Sequence, residues 1–156
     1  MSEGRKRARA HWGTPDLMFG PLHLWVHRYE FPDMNDEEDG NWLVATAEVV
    51  LSGAGRAEVS GPFITTLELT NFRDDLVRMS VQGHGSVSLG TVEPELNWNL
   101  WTASQGHLET QLEVVGHGHR QQFHFQVEQS HLPRLIRQLD VVLDRFPARG
   151  MPHSRP

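Results

Sequence analysis

Hydrophobic and polar residues alternate through the first part of this chain, a pattern typical of strands that bury one face. Strands are predicted at 22–31, 41–51 and 56–64. In the second strand, five alternate apolar positions share one face: Leu43, Ala45, Ala47, Val49 and Leu51. Glycines in the segment 52–55 favour a tight hairpin turn, and Pro62 indicates that the third strand lies at a sheet edge or is ending.

A helix is predicted directly after these strands. Thr65 and Glu68 have the spacing of a capping box, in which the threonine hydroxyl accepts from the Glu68 N–H and the glutamate accepts from the Thr65 N–H. Apolar residues then recur at helical spacing and form one stripe: Leu69, Phe72, Leu76 and Met79. The helix is expected to end around Gly83.

The second half of the chain has a similar pattern. Four strands are predicted there, at 86–91, 96–103, 107–115 and 119–128. Each alternates apolar and polar positions, which predicts an antiparallel meander with one face in the core and one in solvent. A closing amphipathic helix is expected to have Ser130 as its N-cap, Pro133 in its first turn and Pro147 after its end.

The order of elements is therefore roughly βββα–ββββα. This order predicts an α+β fold, in which an antiparallel sheet of about six to seven strands packs two helices on one face. The likeness between the halves suggests a structural duplication. Residues 16–147 are expected to form a single α+β domain, with a flexible basic tail at 1–15 and a frayed C-terminal tail at 148–156.

Charge is distributed unevenly along the chain. The formal net charge is −6, and residues 1–14 hold four basic side chains against Glu3 alone, so the acidic excess lies in the remainder. An acidic body repels phosphate groups, which disfavours nucleic-acid binding, and it attracts basic partners. A negative surface also serves solubility alone, and the sequence leaves both interpretations open.

Composition and motifs exclude several classes of protein. The chain has no cysteine, so it has no disulfide, thiolate zinc site or thiol nucleophile. No apolar run is long enough to span a membrane, and none follows the basic N-terminal residues as in a secretory signal, so a cytoplasmic location is expected. No nucleophile elbow or phosphate-binding glycine loop is present, so neither a cofactor nor enzymatic activity is expected.

Five carboxylates crowd the loop between the first two predicted strands: Asp33, Asp36, Glu37, Glu38 and Asp39. Compared with a calcium-binding EF-hand loop, the segment lacks the glycine at the sixth position, where Glu38 stands, and the glutamate at the twelfth, where Val44 stands. Metal binding is therefore disfavoured. A solvated loop and a loop that docks into a basic groove of a protein partner are the other interpretations.

Two histidines are a further candidate for metal binding. His117 and His119 have the spacing with which residues of one strand can chelate zinc, but zinc takes three or four ligands and no other histidine motif completes the set. Because a hairpin turn is expected at this point, a turn with incidental histidines is favoured over a metal site.

The solvent face of the meander is the second candidate for partner binding. Its candidate contact residues are Trp101, Glu109, Glu113 and His124. An exposed tryptophan among polar side chains is typical of an interface hot spot, because it gathers a large contact area at small entropic cost. Alternatively, Trp101 is buried beneath the N-terminal segment around Trp12, Leu17 and Phe19, and the sequence does not decide between these interpretations.

Several segments share their order and spacing with a known family. These are 39–44, 62–66 with Glu68, Leu76, Glu93 and Pro94 with Leu96, and the closing helix. Over residues 22–147 the chain resembles the WapI-type immunity proteins, small bacterial proteins that pair with polymorphic or contact-dependent toxins. The resemblance implies a binding protein that occludes a toxin, and it supplies no catalytic residues to carry over.

The expected function is therefore a non-enzymatic, protein-binding module that blocks a basic toxin domain sterically and electrostatically, through the acidic loop and the polar sheet face. The alternative is a small-ligand-binding protein or an enzyme, with a pocket between sheet and helices.

Overall fold

The computed structural model describes residues 12–53 and 55–150, which form eight strands and two helices. In chain order these are β1 Leu17–Phe19, β2 Leu22–Tyr29, β3 Trp42–Leu51, β4 Gly55–Thr65, α1 Thr66–Gln82, β5 Ser86–Gly90, β6 Leu96–Thr102, β7 His107–Gly116, β8 His119–Glu128 and α2 Leu132–Arg145. Residues 1–11 of the predicted flexible tail and 151–156 of the predicted frayed tail lie outside the described residues.

The strands pair into two antiparallel sheets of four, each a simple meander followed by a helix. The first sheet has the order β1-β2-β3-β4, and the second has the order β5-β6-β7-β8. The α+β class is confirmed, but the strands divide between two sheets instead of forming one sheet of six to seven. The described elements thus run ββββα twice, because the short strand β1, which the sequence pattern did not predict, supplies the fourth strand of the first sheet.

The junction of β4 and α1 has the predicted capping box. Thr65 is the N-cap: its hydroxyl accepts from Glu68 N at 3.1 Å, and Glu68 Oε1 accepts from Thr65 N at 2.8 Å. The pairing of β3 with β4 shifts register between Leu43 and Ala45, opposite Pro62. Because proline cannot donate to a ladder, it is found at edges and bulges, and β4 is one of the two edge strands of the first sheet.

The second helix begins differently from the prediction. Ser130 lies in a 3-10 turn, Gln129–His131, and α2 follows with His131 as its N-cap and no side-chain capping bond, so the prediction of Ser130 as N-cap is wrong. Because this 3-10 turn comes before the helix, the N-cap of α2 lies one residue later than predicted. Pro133 lies in the first turn as predicted.

The apolar faces of both sheets and the apolar sides of both helices meet in one contiguous core. Trp98 of β6 is fully buried at its centre, with its ring centroid 5.3 Å from that of Phe19 on β1 and 4.9 Å from that of Phe72 on α1. These three rings connect the two repeats. The opposite faces of the two sheets point away from the core.

Candidate partner-binding surface

The outer face of the second sheet, called the polar face below, carries side chains that point away from the core. Its residues include Ser88, Asn97, Asn99, Trp101, Glu109, Gln111, Glu113, Arg120, Gln122, His124, Gln126 and Glu128. All of them are exposed or half-buried, while their neighbours along each strand are mostly buried. Strict alternation places them there, because successive side chains of a strand point to opposite faces.

Trp101 lies at one end of the polar face and is half-buried. Its ring stacks on that of His124, with centroids 6.0 Å apart and planes 26° apart. His124 Nε2 lies 2.7 Å from Glu109 Oε2, and Glu109 pairs directly with Trp101 in the β6–β7 register. Gln126 donates to the other carboxylate oxygen of Glu109. Trp101 is therefore held in a preformed cluster of one aromatic, one imidazole and one carboxylate group.

Glu113 lies further along the same strand as Glu109. It accepts from Gln122 Nε2 at 3.0 Å and lies 3.3 Å from Arg120 Nε. Four residues of strand separate Glu113 from Glu109, or roughly 13 Å. The four residues predicted for this surface, Trp101, Glu109, Glu113 and His124, are thus on one face, with three in mutual contact and Glu113 at a distance.

Around Trp25, the outer face of the first sheet is covered by Trp12 and Gly13 of the chain itself. The Trp12 ring lies 5.3 Å from that of Trp25 and 5.7 Å from that of His27. Trp25 Nε1 donates to Gly13 O at 3.0 Å, and the side chain is left 3 % exposed. Burial is the largest influence on His27 and lowers its pKa, against the attraction of Asp16. Trp12 therefore packs on Trp25, and not on Trp101.

The acidic loop, residues 33–39, lies at the end of the first sheet between β2 and β3. All five of its carboxylate residues are exposed. Asp36 Oδ1 accepts from the backbone N–H of Asp39 at 2.6 Å and of Gly40 at 2.9 Å, so this side chain holds the loop's own backbone. Within the described residues, none of the five carboxylates forms an ion pair. The loop therefore presents uncompensated negative charge.

Residues after α2 hold this loop in place. Arg149 stacks over the Tyr29 ring, with its guanidinium carbon 3.6 Å from the centroid, and donates to the carbonyl oxygens of Phe31, Pro32 and Met34. Its backbone exchanges hydrogen bonds with the side chain of Asn41, at 2.8 and 3.0 Å. Burial raises the pKa of Tyr29, although Arg149 opposes this effect.

Sequence reasoning missed these supporting residues. Asn41 is buried and its amide also donates to Glu37 O at 2.8 Å, while a Cβ at Gly150 would collide with the backbone of Glu37 and Asp36. No local sequence pattern predicts such contacts, because they join segments that are more than a hundred residues apart in the chain. The nine predicted residues therefore form two separate groups, five on the acidic loop and four on the polar face.

The hairpin that joins β7 and β8 turns at the two candidate zinc ligands' position. His117 and Gly118 both have positive φ, 54° and 77°, as two-residue hairpin turns require. No group of three or more histidine, aspartate or glutamate side chains able to hold a metal occurs in the part of the chain that the structure describes. A turn is therefore present where a turn was predicted.

A groove of about 1170 Å³ runs between β4 and the β7–β8 hairpin. It is lined by Arg56, Glu58 and Arg120 among others, and by Glu95, whose Oε2 is buried without a hydrogen-bond partner in the described residues. The groove lies between strands of the two sheets, whereas the sequence alternative placed a pocket between sheet and helices. Its walls carry both signs of charge.

Comparisons with known proteins give one match. No curated protein and no solved structure matches the chain. Among the described residues, neither helix has the length and apolar character needed to cross a membrane. The model of the WapI-like immunity protein family matches residues 18–147, most of the chain, and the chain therefore belongs to that family.

Proposed function

We propose that this protein binds a cognate toxin and neutralises it by covering a surface that the toxin needs, without catalysing a reaction. The family supports a toxin-neutralising role through protein binding. The single observation that carries the proposed site is the Trp101–His124 stack on the polar face. Tryptophan is among the residues most enriched at the energetic centres of interfaces.

The Trp101 cluster is suited to binding because it is already ordered. The ring is fixed by His124, which in turn lies 2.7 Å from Glu109 Oε2. Ordering a side chain on association costs about 0.5–1.5 kcal/mol, and a side chain that is fixed beforehand avoids most of that cost. Trp101 is half-buried, so a partner can still remove much of its ring from water.

The polar face can supply about half of the area that a specific complex needs. Strands β7 and β8 are each 10 residues long and belong to a sheet of four. At roughly 3.3 Å per residue and 4.8 Å between strands, the face measures roughly 30 by 15 Å, or about 450 Å². A typical interface takes about 800 Å² from each partner, so the face supplies about half and flanking segments supply the rest.

Charge favours a basic partner. The described residues contain nineteen carboxylates and nine arginines, and five of these carboxylates are the unpaired ones of the acidic loop at one end of the first sheet. Exposed charges of this kind accelerate association more than they prolong the complex. In the proposal, the acidic loop therefore steers a basic toxin domain towards the chain, and the polar face holds it.

Calorimetry against the toxin domain encoded beside this gene tests the proposal. We expect Trp101→Ala to raise Kd by about 30-fold or more, which corresponds to about 2 kcal/mol for a hot-spot residue. Val141→Ala is the matched control, since Val141 is 63 % exposed on α2, away from the polar face. Failure to bind the toxin, or equal affinities of the Trp101 and Val141 variants, contradicts the proposal.

The role of the acidic loop in binding is tested with different variants. Asp36 holds the loop backbone, so reversing its charge would change the loop's shape as well as its charge. Glu37→Gln combined with Glu38→Gln removes two charges and leaves Asp36 in place. We expect the double variant to lower the association rate at low salt, with little change in the dissociation rate. An unchanged association rate would remove the loop from the proposal.

The small-ligand alternative has one observation in its favour, the buried and unpartnered Glu95 Oε2 in the groove. A buried carboxylate oxygen without a donor is costly, and an ammonium group would satisfy it. Thermal-shift measurements with 1,4-diaminobutane and free arginine, on the wild type and Glu95→Gln, test this. A stabilisation that the variant loses supports the alternative, and no stabilisation of the wild type opposes it.

A further inference from the structure

We infer that the polar face receives a segment of the partner in which an aromatic side chain packs against Trp101, a following backbone carbonyl accepts from its indole N–H, and the flanking side chains are basic. This inference rests on the proposed function and specifies the chemistry of the bound segment. The observation behind it is a correspondence between the two ββββα repeats.

Each repeat carries a tryptophan on the outer face of its second strand. In the first repeat this is Trp25 on β2, and in the second it is Trp101 on β6. Each ring also contacts or lies beside a histidine on the same face: His23 is 6.1 Å from Trp25, and His124 is 6.0 Å from Trp101, between centroids. The two outer faces therefore have related aromatic centres.

The first repeat shows how such a centre is covered. Trp12 places its ring 5.3 Å from that of Trp25, and the next residue, Gly13, accepts from the Trp25 indole N–H at 3.0 Å. An aromatic side chain followed by a small residue with an accessible carbonyl is thus the segment that this chain itself uses. In the second repeat Trp101 is half-buried, and its indole nitrogen has no acceptor among the described residues.

The charge of the polar face indicates which charge the partner segment should carry. Around Trp101 the polar face holds the carboxylates of Glu109 and Glu113, with Glu128 at the end of β8. Arg120 is the arginine on this side, and it already lies 3.3 Å from Glu113. Basic residues on either side of the incoming aromatic group would therefore complement the face, while acidic ones would be repelled.

Three acetylated peptides, KTWGTK, ETWGTE and KTAGTK, are the probes for this segment. The readout is the set of indole N–H signals in a nitrogen-15 correlation spectrum of the full chain, in which Trp101→Phe identifies the Trp101 signal. We expect KTWGTK to shift that signal saturably with a millimolar Kd. The other two peptides should bind at least about fivefold more weakly, since each lacks one of the two recognised features.

Several results would overturn the inference. Equal shifts with all three peptides, or no shift of the Trp101 signal with KTWGTK, would show that the face does not select an aromatic basic segment. A dimer in sedimentation that Trp101→Ala abolishes would assign the face to a second copy. A Trp101 signal that moves when residues 1–11 are deleted would assign it to the chain's own N-terminal segment.

The toxin complex separates this inference from the proposed function. If calorimetry detects no complex, the proposed function fails. If a complex forms and the Trp101 indole signal does not change on its formation, toxin binding stands and the inference about the polar face fails. A downfield shift of that signal in the complex, as a new hydrogen bond to the indole N–H produces, supports both.

Discussion

The shape of the acidic loop should depend on Arg149, and Arg149→Ala tests this dependence. Its Nη1 lies 3.1, 3.0 and 2.7 Å from the carbonyl oxygens of Phe31, Pro32 and Met34. That nitrogen carries two hydrogens, so the three carbonyls share two hydrogen bonds. Because Arg149 is half-buried, each of the two hydrogen bonds is taken at about 1.5 kcal/mol, the low end for charged donors. With about 0.5–1 kcal/mol added for the stacking on Tyr29, the loss should be about 3.5–4 kcal/mol of unfolding free energy.

Urea unfolding measures the global cost, and amide exchange measures the local one. The N–H groups of Asp39 and Gly40 donate to Asp36, so their exchange should accelerate in Arg149→Ala if the loop loses its shape. Arg137→Ala is the control, since Arg137 is an exposed arginine of α2. A loss below about 0.5 kcal/mol, no larger than at an ordinary surface site, together with unchanged exchange would refute the reasoning.

Arg149→Lys refines the same test. Lysine keeps the positive charge, but it lacks the planar group that lies 3.6 Å from the Tyr29 ring centroid and donates to several carbonyls at once. It should therefore recover part of the stability and little of the amide protection. Full recovery by lysine would mean that charge alone, and not the shape of the guanidinium group, fixes the loop.

Three further predictions concern two buried threonines, the helix-capping Glu68 and the titration of His27. Thr110 and Thr66 are both fully buried, but Thr66 Oγ1 donates to Phe146 O at 3.2 Å while Thr110 Oγ1 has no partner in the described residues. In urea unfolding, Thr110→Val should therefore be neutral or stabilising by about 1 kcal/mol, and Thr66→Val should cost about 1 kcal/mol. Equal losses of stability in the two variants would contradict this prediction. Glu68 accepts from the N–H of Thr65 at 2.8 Å and of Val92 at 2.7 Å, so Glu68→Gln should lose one of the two hydrogen bonds and about 1–3 kcal/mol of unfolding free energy. Each kcal/mol should lower the melting temperature by roughly 2–4 °C. A melting temperature within about 1–2 °C of the wild type would count against this prediction. Burial lowers the pKa of His27 below 6.5, so a proton binds the unfolded chain more readily than the folded one. The stability of the wild type should therefore fall as the pH drops from about 7 to 5, and the melting temperature of His27→Gln should fall less over that range. An equal fall in both proteins would refute the role of His27.

Local structure was predictable wherever a short segment carries its own signal. The capping box of Thr65 and Glu68 was predicted from four residues, and the structure has both of its hydrogen bonds. The strand 119–128 was predicted at its full length, because alternation of polar and apolar residues continues through all of it. The resemblance to the immunity family over 22–147 is confirmed by a match over 18–147.

The division into two sheets was not predictable in the same way. Alternation assigns a residue to a face, but it does not say which strand lies beside which, since pairing depends on contacts between distant segments. Strand β1, Leu17–Phe19, is three residues long, too short for any periodic signal. Its existence depends on pairing with β2, through Leu17 with Leu24 and Phe19 with Leu22.

The same limit applied to the candidate surface. Alternation along a strand puts both Trp25 and Trp101 on outer faces, and nothing local distinguishes the covered ring from the half-buried one. The difference arises because Trp12 and Gly13 return over β2 and have no counterpart over β6 among the described residues. The covered and the half-buried tryptophan therefore differ through the segment that covers one of them, and not through their strands.

This asymmetry supports the proposal that the repeated fold carries a single binding face. Two identical outer faces, both open, would expose two aromatic centres and invite self-association, while two covered faces would leave nothing for a partner. Covering Trp25 makes the first sheet a rigid support, on whose end the acidic loop is held by Arg149 and Asn41. In the proposed function, the half-buried Trp101 on the second sheet is then the one place where binding is concentrated. On this reasoning, a variant that uncovers Trp25, such as Trp12→Ala, should lose stability and gain non-specific association, while its affinity for the toxin through Trp101 stays the same.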